Sequence, residues 1–137
     1  MKNQFKIKLF FILIILLLIN GCTTTNKPSY VKYFKGESEH WSAVYLIKGA
    51  LNEYDEIAKL TYRETDIEAI GKVKALFGSK SGVIKVEKFL DKNGSVLGNR
   101  IGSGDVNHID VTVQWNNLVE NFTLQETKTP VISPYEN

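Results

Sequence analysis

The chain has 137 residues, 17 basic and 15 acidic side chains, 43% hydrophobic residues and one cysteine. That length supports one domain with its own core, and a single cysteine excludes an intramolecular disulfide. Without residues 1–21 the balance is 14 basic to 15 acidic side chains, so the basic excess belongs to the first residues and gives no argument for a nucleic-acid partner.

Lys2, Lys6 and Lys8 form a basic start, and Leu9 to Ile19 then run through eleven apolar residues. That run is too short to span a hydrocarbon core of ~30 Å, which takes about 20 residues. Leu18-Ile19-Asn20-Gly21-Cys22 follows at once. This is the layout of a secretory signal peptide, and its end looks like the lipobox of bacterial lipoproteins. The expectation is a signal peptide over 1–21, with Cys22 becoming the lipidated N-terminus. The protein is then held on the extracytoplasmic face of the cell membrane by palmitate-type acyl chains. Two such chains suffice for stable anchoring. Residues 22–29 are polar and contain Pro28, which predicts a flexible tether.

From residue 30 to 126 the pattern is that of short strands. Trp41, Ala43, Tyr45 and Ile47 alternate with polar or smaller residues, as do Ala58, Leu60 and Tyr62. Tyr33-Phe34 predicts a first, edge strand, whose open side is a place for a partner strand or for the chain's own tail. Ile67, Ile70, Val73, Leu76 and Phe77 sit at helical spacing, yet Val73, Ala75 and Phe77 also share one face of a strand. Strand is favoured over helix for 66–77 because its neighbours are strands. Val83 to Phe89 is Val/Ile-rich with interleaved lysines, and Asp91-Lys92-Asn93-Gly94 marks a tight turn. Ile109, Val111, Val113 and Trp115 give the clearest period of two, and Asn116-Asn117 joins them to a second alternating run as a hairpin. About seven short antiparallel strands at this spacing predict an all-β sandwich or small barrel. Pro130 and Pro134 predict an extended tail over 127–137.

Two segments carry a resemblance. Gly36-Glu37-Ser38-Glu39-His40-Trp41 resembles the Gly-Glu-Ser-x-x-Trp segment of small lipoproteins from Bacillus and related Firmicutes. Val113 to Leu124 resembles their C-terminal signature: a strand ending in Trp, a short turn with Gly, then Glu and alternating apolar residues. Asn117 stands where Gly is usual, and Asn tolerates positive φ. The resemblance implies an immunoglobulin-like β-sandwich and carries no catalytic residues.

The chemistry is sparse. With Cys22 taken by lipid, only His40 and His108 remain as bases for a nucleophile, and two isolated histidines do not make a zinc site alone; both read as surface side chains. Asp91, Asn93 and Ser95 alternate as calcium ligands do, but Gly94 falls at the fourth position rather than the sixth of an EF-hand loop. Glu37, Glu39 and Trp41 share strand parity, which makes them the candidate contact for a ligand or partner. Against this stands the plainer reading, a surface-paired Glu37 above a Trp41 that fills the core. The sequence therefore predicts a non-enzymatic envelope protein without cofactor or metal, presenting its β domain to a protein or cell-wall glycan. A small-ligand or metal-ion binder is the alternative, and a cell-wall hydrolase a remote one.

Overall fold

The computed structural model describes residues 30–129. The expected signal peptide, Cys22 with its tether, and the tail beyond Thr129 lie outside the described residues. The chain forms eight strands: β1 (Tyr30–Glu37), β2 (Trp41–Ala50), β3 (Glu53–Tyr62), β4 (Lys72–Ser79), β5 (Gly82–Phe89), β6 (Ser95–Gly102), β7 (His108–Trp115) and β8 (Leu118–Thr127). All paired strands are antiparallel, in one sheet of order β5-β4-β7-β8-β1-β2-β3-β6. The all-β, antiparallel architecture is the expected one, with eight strands in place of about seven.

The sheet curls until its two edges meet. Strands β5 and β6 share no ladder, but a Cβ on Gly98 of β6 would stand 2.6 Å from methyl groups of both Ile84 and Val86 of β5. The Lys88 ammonium donates across the same seam to the Leu97 carbonyl at 3.2 Å. The opposed walls pack like the layers of a sandwich: Tyr45 of β2 meets Phe77 of β4, ring centroids 6.1 Å apart. Period-two alternation accounts for the inner face. Val73, Ala75 and Phe77, and Ile109, Val111 and Val113, are all buried, and each such Val, Ile or Phe side chain stabilises by roughly 1.5–3 kcal/mol relative to exposure.

Two local expectations change. Residues 66–77 are neither one helix nor one strand: Glu68–Ile70 form a 3-10 turn, Gly71 adopts φ +66°, and β4 starts at Lys72. Tyr33 and Phe34 do not lie on an edge. Strand β1 is paired on both sides, with β2 and with β8, and Phe34 is fully buried. The loop at Asp91 is the tight turn expected there. Its carboxylate accepts the backbone N–H groups of Asn93 (2.9 Å) and Ser95 (2.8 Å), as an Asx turn does.

The strand ends sort into two sets. One end of the barrel-like body carries the start of β1, the 51–52 and 80–81 turns and the 103–107 loop; the other carries the 38–40 bend, the 63–71 connection, the 90–94 turn and the 116–117 turn.

Candidate functional site

The two segments singled out by resemblance meet at the second end. Chain reversal between β1 and β2 is tight: Ser38 N–H donates to the Trp41 carbonyl at 2.8 Å. Glu120, early on β8, reaches under this bend. The Ser38 hydroxyl donates to its Oε2 at 2.5 Å, the His40 backbone N–H donates to the same oxygen at 3.3 Å, and His40 Nδ1 lies 2.5 Å from its Oε1. From the other side the Arg63 guanidinium donates to the Ser38 carbonyl at 2.6 Å and lies 3.8 Å from the Glu37 carboxylate. The bend is thus clamped between one carboxylate and one guanidinium.

Aromatic packing supports the clamp from below. Trp41 is fully buried, 5.0 Å from the Tyr62 ring and 5.3 Å from the Trp115 ring, and the His40 imidazole lies 5.7 Å from Trp115. The Trp41 indole N–H is buried without a hydrogen-bond partner among the described residues, and these rings surround it. Position of the bend depends on the hairpin opposite. Asn116 and Asn117 adopt φ +43° and +63°, the left-handed pair a two-residue turn requires. This aligns Trp115 with Leu118 and turns Glu120, level with the buried Val113, toward the bend.

Electrostatics couple the pair. The hydrogen bond to the Glu120 carboxylate raises the His40 pKa above its usual value, against partial desolvation, and the charges of Glu120, Glu39 and Glu64 add to it. Burial pushes the Glu120 carboxyl up, but the hydrogen bonds from Ser38 and His40 outweigh it and hold the pKa below the usual carboxylate range. The other imidazole nitrogen, Nε2, faces Glu64 at 3.7 Å.

The Ser38 hydroxyl donates its hydrogen bond to the Glu120 carboxylate, whereas the serine of a hydrolase triad is hydrogen-bonded to an imidazole. Glu39, His40 and Glu120 bring one ligand atom each within 4.8 Å of one another. Within this group His40 Nδ1 and Glu120 Oε1 stand 2.5 Å apart, at hydrogen-bond distance.

Of the residues expected to form a contact, the structure does not bring Glu37, Glu39 and Trp41 to one face. Strand parity fails because the chain reverses at 38–40, between the carboxylates and the indole. Glu37 turns to Arg63, Glu39 is exposed and Trp41 enters the core. His108 is a surface side chain 3.9 Å from Asp110. His40, by contrast, is half-buried in the clamp rather than free on the surface. Sequence reasoning also missed Glu120 as the partner of Ser38 and His40; the only pointer was that both lay in the two segments of resemblance.

The chain matches no protein-family model, no curated protein and no solved structure.

Proposed function

We propose that the chain is a lipid-anchored, non-enzymatic envelope protein that presents its β domain, clamped end outward, to a cell-wall or protein partner. The observation that carries this reading is the position of the chain's entry. Strand β1 starts at Tyr30, at the end of the body opposite the Ser38–His40–Glu120 clamp. Only residues 23–29 separate it from Cys22, and the eight steps from Cys22 to Tyr30 reach no more than about 28 Å at ~3.5 Å per residue. Anchoring at Cys22 therefore holds the 51–52 turn near the bilayer and turns the 116–117 turn away from it. The convergence of hydrogen bonds from Ser38 and His40 on Glu120 supports a structural use of that serine and histidine.

Palmitate labelling tests the anchor: wild type incorporates label and Cys22→Ser does not, whereas equal incorporation overturns it. A photo-crosslinker placed at Leu51 or Val119, both more than half exposed, tests the orientation in intact cells. Lipid adducts are expected at position 51 and envelope adducts at 119; the reverse pattern sinks the proposal. A metal-ion binder is the second reading, favoured by the approach of Glu39, His40 and Glu120. It requires that Zn²⁺ change the fluorescence of the nearby Trp115 saturably.

A further inference from the structure

Charge is segregated in this domain. Residues 72–92, comprising β4, β5 and the turn after them, carry six lysines against Glu87 and Asp91, while the rest of residues 30–129 carries seven basic and twelve acidic side chains. A net +4 hairpin thus sits on a body of net −5. Lys72, Lys74 and Lys85 alternate with the buried Val73, Ala75, Ile84 and Val86, so they share the outer face. Glu87 lies within 3.3 Å of Lys72 and 3.9 Å of Lys74 and is shared between them. On β7 the outer positions beside Lys74 and Leu76, Gln114 and Thr112, are uncharged and polar, and the acidic Asp110 follows further along, level with Gly78.

The same face is grooved. One open groove at the clamp end runs between Lys72, Lys74 and Gln114 and the 115–119 hairpin with its exposed Leu118 and Val119, and a second, further along the strands, is lined by Lys74, Leu76, Lys85, Glu87, Thr112 and Gln114. The two share Lys74 and Gln114, so they adjoin along the strands, a layout that suits an extended chain better than a flat surface. Ammonium groups act as point charges toward phosphate, and hydroxyl and amide groups beside them suit bridging oxygens.

We propose that the outer face of β4, β5 and β7 binds a linear, phosphate-bearing anionic polymer. The ligand's location in the envelope rests on the lipid-anchored reading; the binding chemistry does not. Full-length protein in detergent, titrated with long-chain inorganic polyphosphate, is expected to bind saturably and less tightly as salt rises. Lys72→Gln/Lys74→Gln/Lys85→Gln is expected to weaken binding by about tenfold or more and to flatten the dependence of log K on log salt by roughly 2, at ~0.7 for each phosphate that a lysine no longer neutralises. All three positions are exposed, and an unchanged circular dichroism spectrum excludes unfolding as the cause. A control with equal charge loss, Lys35→Gln/Lys48→Gln/Lys128→Gln, is expected to bind as wild type. Equal weakening by the control, or no saturable binding, overturns the proposal. Capture by anionic phospholipid vesicles without polyphosphate binding overturns it too, and assigns the face to the membrane. Cys22→Ser should bind polymer as wild type does, so failure of the anchor and failure of this site are separate results.

Discussion

Glu120 shows how one side chain can fix a loop. Its carboxylate accepts from the Ser38 hydroxyl, the His40 backbone and the His40 ring. Glu120→Gln keeps the shape but weakens acceptance and adds a donor where donors already converge. Leaving such groups poorly paired costs about 1–3 kcal/mol, which urea denaturation would register as a lower midpoint at unchanged slope. The pair also makes stability depend on pH. The His40 pKa is raised in the folded state, so its contribution is complete below the ordinary value near 6.5 and fades as pH rises through the folded value. The Glu120 pKa is lowered, so its contribution is present above the ordinary carboxylate value and fades as pH falls through the folded one. Thermal midpoints of the wild type should be best supported by the clamp between about pH 4.5 and 6.5. His40→Asn should lose the decline on the alkaline side; an identical profile in both proteins would refute the coupling. None of this was legible in sequence, because 80 positions separate His40 from Glu120 and no periodicity reports on such a pairing.

Among the elements, the seam between β5 and β6 is held by close packing and a buried polar network. Glu56 of β3, fully buried, accepts from the Tyr45 hydroxyl at 2.7 Å, from Ser81 and from the Arg100 guanidinium at 3.1 Å. Burial, and then this hydrogen bond to Glu56, push the Tyr45 phenol far above its usual pKa. A Cβ on Gly82 would meet the Arg100 guanidinium, and one on Gly102 the Glu56 carboxylate, so glycines make the space that the ion pair fills. Glu56→Leu strands Arg100, whose side chain is one-quarter exposed. The expected loss is about 3 kcal/mol, the lower end for a broken buried pair. Gly98→Val forces β6 from the stiff Ile84 and Val86 methyls. Overpacking of that kind costs about 1–3 kcal/mol, and hydrogen exchange should quicken in β5 and β6 before β1 and β2; uniform quickening would contradict a local seam. The 116–117 turn is a gentler probe. Asn117→Ala places a Cβ without a polar group at φ +63° and should cost about 1–2 kcal/mol, whereas Asn117→Gly should cost nothing measurable. That turn was legible, since two Asn residues between alternating runs leave few other conformations. The 66–77 segment was not: Ile67 and Ile70 precede or lie in a 3-10 turn, and their spacing to Val73 imitates a helical stripe that ends where the strand begins.

At the scale of the whole molecule, the fold class was readable because inward positions alternate in nearly every strand, Ile109 to Trp115 most clearly. The strand order was not, because β1 lies between its sequence neighbour and the last strand, β8. The sheet's unladdered seam has a further consequence. Open edge strands are templates for pairing with another chain, and proteins tethered to a surface meet their own copies at the density of a plane rather than of a volume. In this chain each free edge faces the other, with Lys88 bridging the gap and Gly98 drawing the backbones close. Were the chain anchored as proposed, this closure would leave neighbouring copies, among the described residues, little open sheet edge on which to add a strand.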